Sequence, residues 1–296
     1  MVRVIGPLPA ALVAVGLIVS VNVQDPPPMP SSQEAGYFVL AGDFHVHSFP
    51  GDGALPPWEI AREAARRRLD VVALTNHNSM LSSRLAEWLG LHGRGALLIP
   101  SQELTSVGYH LAAVGVDGIV DWRQSIPQAV AAIHARGGVA IGAHPGGRLR
   151  ERTFDAPALA ALDGIEAAHP GMLGSSRMRN EIAGTHARAL EQNPAIATIG
   201  SSDFHHVAPI GVCRTYLFAK SRAREGVLEA IRAGRTVACD GHGVTHGPPD
   251  LAPLVADECR AAATTPPAGA SRVDTIATTL VWFGLLGLVL VGAREG

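Results

Sequence analysis

Through the middle of the chain, short apolar runs alternate with amphipathic stretches. The runs at 37–44, 71–75, 96–99, 110–116, 139–142, 164–168, 195–199, 215–218 and 236–238 are compact and rich in β-branched residues, and the pattern predicts strands there. Helical spacing fills the gaps at 57–68, 81–91, 125–136, 178–192 and 221–233. The first of these opens on Pro57 and Glu59, residues suited to a helix start. Apolar strands alternating with helices predict an α/β fold with a mainly parallel sheet. No internal repeat is visible.

Polar residues of one chemical kind cluster where these strands end. They are His45, His47, Asp52, His77, Glu103, His110, His144, Asp203 and His205. Imidazoles and carboxylates with almost no thiolate suit Zn²⁺, Mn²⁺ or Fe²⁺ rather than a cysteine-rich structural zinc site. The nine positions follow at least five different strands. A barrel brings every strand C-terminus to one mouth, whereas an open sheet leaves its outer strands far from a shared site, so a closed barrel is expected. His92, His134, His186, His242 and His246 read as ordinary core or surface histidines. His169 and His206 lie near the expected mouth but match no ligand pattern.

Composition narrows the function. The 296 residues suffice for one barrel-sized domain, and a net charge of -2 gives no surface for coating nucleic acid. Aromatics at 5% argue against a base-stacking platform, so no stable nucleic-acid partner is expected. Cys213, Cys239 and Cys259 match no metal spacing. Cys213 and Cys239 lie in or beside late strands and could pair in an exported chain; isolated thiols are the alternative.

Both ends look membrane-like. Residues 1–24 have a basic start and a short apolar run, the layout of a signal peptide or signal anchor, with a Pro-rich linker at 25–35. Residues 242–272 read as a stalk, and 273–292 as a transmembrane helix, long enough to span a bilayer. The expectation is a membrane-anchored protein whose catalytic domain, 36–241, is periplasmic or extracellular.

The ordered motifs Asp43-Phe44-His45-Val46-His47-Ser48 with Asp52-Gly53, Leu74-Thr75-Asn76-His77-Asn78, Glu103, Tyr109-His110-Leu111, Ala143-His144-Pro145, Gly164-Ile165-Glu166 and Ser202-Asp203-Phe204-His205 resemble the PHP (polymerase and histidinol phosphatase) superfamily, in its small metal-dependent phosphoesterase form. The resemblance covers about residues 36–241. It implies a distorted (β/α)7, TIM-like barrel holding two or three divalent ions. It further implies that His45, His47, Glu103 and Asp203 hold one ion. Glu103 would bridge to a second ion on His110 and His144, and Asp52, His77 and His205 would hold a third. Asp203, His205 and Glu103 are the expected catalytic groups. One position departs from the family pattern: Asn76 stands where an Asp is usual, which removes a charge beside the third group. Amidohydrolases also open on His-x-His, but many bridge their metals with a modified lysine. Lys220 is the only lysine in this chain and comes too late, so the bridge must be a carboxylate, and Glu103 fits.

These residues predict hydrolysis of a small phosphorylated substrate, such as a phosphomonoester, nucleotide or phosphodiester, by metal-activated water. Arg148 and Arg177 follow strand-end segments and are candidates for gripping phosphate. Glu166 ends a strand and is either a support for the ligands or a structural residue of the rim. The alternatives are a non-catalytic metal- or ligand-binding module and a C–N hydrolase using the same metals.

Overall fold

A computed structural model describes residues 7–22, 32–91, 95–147, 152–265 and 272–295. The chain divides into two compact units, 27–266 and a pairing of the termini, 1–26 with 267–296.

The larger unit is an α/β fold with a nearly closed, barrel-like sheet. Its strands are β1 (Gln33–Glu34), β2 (Tyr37–Val46), β3 (Val71–Leu74), β4 (Leu97–Thr105), β5 (His110–Val114), β6 (Val139–Gly142), β7 (Gly164–Ala168), β8 (Ala197–Gly200), β9 (Arg214–Ala219), β10 (Thr236–Cys239) and β11 (Thr245–His246). Their order is β11-β10-β9-β2-β3-β4-β5-β6-β7-β8, with β1 on β2. Five described helices with bounds close to the amphipathic segments, Pro57–Arg66, Leu81–Trp88, Ile126–His134, Ser176–Gln192 and Arg224–Arg232, connect them.

The expected mainly parallel sheet is only partly found. β2–β3, β3–β4, β6–β7 and β7–β8 are parallel, but β5 runs antiparallel to both β4 and β6, and β9 antiparallel to β2. The reason is the short link between Thr105 and His110. It holds only a turn, with Ser106 N–H donating to the Tyr109 carbonyl at 3.0 Å, and a parallel crossover needs a dozen residues or more.

Two contacts close the ring. At the mouth, Phe204, just past β8, bridges Val46 of β2, and His47 N–H donates to the Phe204 carbonyl at 2.9 Å. At Gly200, the last residue of β8, β9 reaches across. Thr215 Oγ1 accepts from Gly200 N–H and donates to the Gly200 carbonyl, both at 2.9 Å, so one hydroxyl serves in place of a ladder. Gly200 is required there, since a Cβ would lie 2.4 Å from the Arg214 carbonyl oxygen.

A carboxylate locks the seam. Asp43, fully buried, accepts from Ser202 N–H at 3.1 Å and from Gly211 N–H at 2.8 Å. Burial pushes its pKa up to about 6, although those N–H groups pull it down.

Inside the ring, Leu40, Phe44, Ala73, Ile99, Ala112, Val114, Ile141, Ile199 and Leu217 form one buried cluster with Val227, Leu228 and Ile231 of helix Arg224–Arg232. Side chains alternate with period two along a strand, so the next inward positions toward the mouth follow from this set. Ala73 leads to His77, Ile99 to Glu103 and Ile199 to Asp203. On the reversed β5, Ala112 leads back to His110, which is why this histidine opens its strand instead of ending it. In β2 the register shifts between Asp43 and Val46, a bulge that allows Phe44 to point into the core while His45 and His47 face the mouth.

Beyond β10 the segment expected to be a stalk contains β11 and helix Ala256–Thr264. Cys259 of that helix is disulfide-bonded to Cys239, and Cys213 is a free, buried thiol. Of the two readings left open for Cys213, the isolated thiol holds, and Cys239 pairs instead with Cys259.

The membrane reading is also corrected. Among the described residues no helix is long and apolar enough to cross a membrane. Helix Pro7–Asn22 has 16 residues, which gives about 24 Å at ~1.5 Å per residue, short of a hydrocarbon core of roughly 30 Å. Helix Arg272–Glu295 has Thr275, Thr278 and Thr279 in its first turns and Gly284 and Gly287 in its apolar run. The two helices pack on each other at glycines: a Cβ on Gly16 would meet Val281, and one on Gly284 would meet Val13. The signal anchor, the transmembrane helix and the membrane-anchored placement are therefore not supported.

Asp43→Ala removes the acceptor of three buried N–H groups, those of His45, Ser202 and Gly211, each costing ~1–3 kcal/mol if left unpaired. Urea unfolding of this variant is expected to show the corresponding fall in stability.

Candidate metal centre

The structure brings all nine predicted strand-end residues to the mouth. His45 and His47 are fully buried, as is Glu103, while Asp52, His77 and His205 line the open side. Four overlapping groups have donor atoms close enough to hold a metal ion: His45 with His47 and Glu103; His45 with His144 and Asp203; Glu103 with His110 and His144; and His47 with Asp52, His77 and His205.

Two classes of distance recur at the mouth. Donor atoms bound to one ion at ~2.1 Å in a tetrahedral arrangement lie about 3.4 Å from each other. His45 Nε2 is 3.4 Å from Glu103 Oε1 and 3.2 Å from Asp203 Oδ1. His47 Nε2 is 3.5 Å from Glu103 Oε2 and 3.4 Å from Asp203 Oδ1. His144 Nε2 lies 3.5 Å from Glu103 Oε1. Asp52 Oδ2 is 3.2 Å from His77 Nε2 and 3.1 Å from His205 Nε2. The second class is of hydrogen-bond length. His45 Nδ1 meets Glu166 Oε1 at 2.8 Å, His47 Nδ1 meets Asp52 Oδ1 at 3.0 Å, and His110 Nδ1 meets Glu103 Oε1 at 2.7 Å. His77 Nδ1 lies 2.5 Å from Glu103 Oε2 and 2.6 Å from Thr105 Oγ1.

The buried Nε2 atoms of His45 and His47 have no hydrogen-bond partner. Buried imidazole nitrogens left so, aimed at two carboxylates across the spacing of a shared ion, fit a divalent cation.

The electrostatics agree. Burial pushes the Glu103 carboxyl up, but His45 beside it and bonds from His110 and His144 hold it well below the usual range. Burial lowers His45, yet Asp203, Glu103 and Glu166 raise it well above its ordinary value. Burial raises Asp203 and Glu166 too, but His45 together with the neighbouring histidines, His169 and His144 among them, holds both below the ordinary carboxylate range. His47 and His144 are lowered, chiefly by burial. The pocket thus concentrates anionic oxygens around imidazoles, and it draws positive charge inward.

Backbone geometry is unusual at two of these residues. His144 has φ 28° and Asp203 φ 47°, in the left-handed region that few non-glycine residues occupy.

Three residues that were given no firm role support the nine. Glu166, fully buried on β7, holds His45 Nδ1 and also accepts from His144 N–H at 2.5 Å, so one carboxylate sets two histidines. Asp43 joins the loop carrying Asp203 and His205 to the strand carrying His45. His169 reaches Asp203 Oδ2 at 3.3 Å through Nε2. The signal for His169 was present: its His-Pro sequence after β7 repeats that of His144-Pro145 after β6.

The candidate phosphate arginines fare differently. Arg177 is mostly exposed and pairs with Glu181 one turn along its helix at 2.8 Å. Arg148 lies outside the described residues.

Asn76 points away from the cluster and holds the loop carrying Asp52. Its Oδ1 accepts from Ser48 N–H at 2.7 Å, and its Nδ2 donates to the Ser48 carbonyl at 2.8 Å and the Pro50 carbonyl at 3.0 Å. A carboxylate cannot donate to those two carbonyls. The departure from the family pattern is therefore matched to this loop.

Comparison with known proteins bears on the family and the fold. The PHP-associated family matches residues 180–236. A two-domain protein of Bacteroides vulgatus, described as containing a predicted PHP-like metal-dependent phosphoesterase, aligns with a TM-score of 0.58 at 25% identity, covering 78% of this chain and 73% of that one. Likeness is looser to PsfC of Pseudomonas syringae, with a TM-score of 0.49, 18% identity and coverage of 75% and 98%. A candidate metal-dependent phosphoesterase of Bifidobacterium adolescentis gives a TM-score of 0.42, 18% identity and coverage of 57% and 90%. No curated protein matches the sequence. The PHP resemblance carried by the motifs is thus shown: a segment of the chain matches the PHP-associated family, and its fold is similar to that of a protein described as containing a predicted PHP-like metal-dependent phosphoesterase.

Asn76→Asp is expected to lower thermal stability, with a loss of ~1–3 kcal/mol for each carbonyl left facing a carboxylate without a donor. Differential scanning calorimetry of the variant against the parent chain measures it.

Proposed function

We propose that this chain hydrolyses small phosphate esters at a centre of two or three divalent cations. The observation that carries the reading is the set of 3.1–3.5 Å donor-to-donor spacings converging on Glu103, Asp203 and Asp52. His45, His47, Glu103 and Asp203 would hold the inner ion, Glu103, His110 and His144 the second, and Asp52, His77 and His205 the outer one. Divalent cations of the Zn²⁺, Mn²⁺ or Fe²⁺ type supply Lewis acidity toward water and phosphoryl oxygens when bound there.

The chain's own residues do the rest. Glu103 and Asp203 bring negative charge to the buried side, where water is excluded and attraction for cations is strongest. Glu166 and Asp52 fix the rings of His45 and His47 through Nδ1, leaving Nε2 directed inward. His205 and Asp52 stand on the solvent side, 28% and 45% exposed, where a leaving alcohol departs and water can deliver a proton. Arg177 is paired with Glu181 on its helix, so cations bound at the mouth would supply the grip on the phosphate. That arrangement suits a small substrate with an accessible phosphoryl group, a nucleotide among them.

His47→Ala removes a buried ring nitrogen shared by two of the four groups. Metal content per chain after dialysis is expected to fall, and phosphate release from a phosphoester and nucleotide panel with Mn²⁺ or Zn²⁺ to drop to background, with circular dichroism unchanged. Parent-level turnover in this variant would overturn the site.

A further inference from the structure

His169 lies at the mouth outside the nine, and its two nitrogens are both engaged. It stands just after β7 as the residue capping the 3₁₀ turn Pro170–Met172. Gly171 N–H donates to His169 Nδ1 at 3.1 Å. A backbone N–H can only donate, so Nδ1 is the unprotonated nitrogen. In the neutral ring, the proton therefore sits on Nε2. That nitrogen faces Asp203 Oδ2 at 3.3 Å. The ring also packs edge-on against His144, with centroids 5.3 Å apart. The turn is held in place: a Cβ on Gly171 would lie 2.3 Å from Met178 Sδ.

Asp203 needs such a partner. It occupies the left-handed region at φ 47°, and its two oxygens face different ways. Oδ1 lies against His45 and His47, at 3.2 and 3.4 Å, while Oδ2 faces His169 and, more distantly, His144 at 3.9 Å. A carboxylate turned partway about its Cβ–Cγ bond would carry Oδ1 away from the two histidines and lose that spacing.

We propose that His169 is a positioning residue for the metal centre, in which the Pro170–Met172 turn fixes the ring's tautomer and Nε2–H pins Asp203 Oδ2 so that Oδ1 alone faces the inner ion. His169 acts through Asp203 and is not itself a ligand. This inference rests on the metal centre read above and not on the identity of the substrate.

Two substitutions separate the ring's two jobs. Gln places a side-chain amide near the position of Nε2 and keeps a donor to Asp203 while losing the acceptor for Gly171. Asn keeps an acceptor near Nδ1 and loses the reach to Asp203. Binding of Mn²⁺ alone to the full metal-stripped chain is measured by electron paramagnetic resonance titration, with thermal unfolding of the metal-free forms alongside. His169→Asn is expected to weaken Mn²⁺ binding ~10- to 100-fold, the usual effect of losing a group that orients a ligand, with little change in melting temperature. His169→Gln is expected to bind within a few-fold of the parent chain, even where its melting temperature falls. Parent-like Mn²⁺ affinity in His169→Asn, or greater loss in Gln than in Asn, overturns the positioning role and leaves a turn cap only. A parent chain that takes up no Mn²⁺ overturns the metal centre and this inference with it. Mn²⁺ uptake without phosphoester hydrolysis overturns the phosphoesterase reading alone.

Discussion

Closure of the ring at the mouth is the constraint on which the site depends. His45 and His47 belong to β2, and Asp203 and His205 to the loop after β8. They meet because Phe204 bridges Val46, and because Asp43 ties Ser202 and Gly211 to the same strand. Without that seam the loop carrying Asp203 has no reason to sit against the loop carrying His47. The cost is a fully buried carboxyl, and the N–H groups of Ser202 and Gly211 offset it. Such an exchange is common where backbone donors would otherwise be stranded at a strand junction.

The site shows how far charge compensation can go without a full set of hydrogen bonds. Glu103 touches five histidines through its two oxygens and stays ionised despite complete burial. Asp203 does similar work from the opposite wall, and Glu166 stabilises His45 from behind. Three anionic groups packed this closely would repel one another strongly in a low-dielectric space if positive charge were not held between them. The architecture is therefore selective for cations by construction, and the aliphatic layer beneath it, from Leu40 to Ile199, keeps water out of its floor.

Much of this was legible in the sequence. The nine polar residues stand out because each interrupts or follows an apolar run, and period-two alternation then places them on the inner face. What was not legible has physical reasons. Apolar runs say nothing of strand direction, so the reversal of β5 was hidden, although a four-residue link between Thr105 and His110 excludes a crossover. Hydropathy does not distinguish a lipid-facing surface from one covered by another helix, so the apolar ends were read as membrane segments when Gly16 and Gly284 mark helix-on-helix contact. Cysteine pairing depends on distances between chain segments, and Cys259 sits in a helix that composition had rendered as stalk. Asn76 looked like a lost charge because its partners, the Ser48 and Pro50 carbonyls, are only visible once the loop is folded.

The spread of donor groups from residue 45 to residue 205 carries a consequence for folding. No local segment assembles the centre, since even the closest pair, His45 and His47, needs Glu103 or Asp203 to complete a group. Contacts of such sequence separation form late, after loop-closure entropy has been overcome. A cation held at the mouth therefore binds the finished ring and not its parts, and it stabilises the whole unit by mass action. Opening the seam anywhere disperses the donors, so any ion held there would be released as the ring is lost. Metal occupancy would in that sense gauge the topology of the chain.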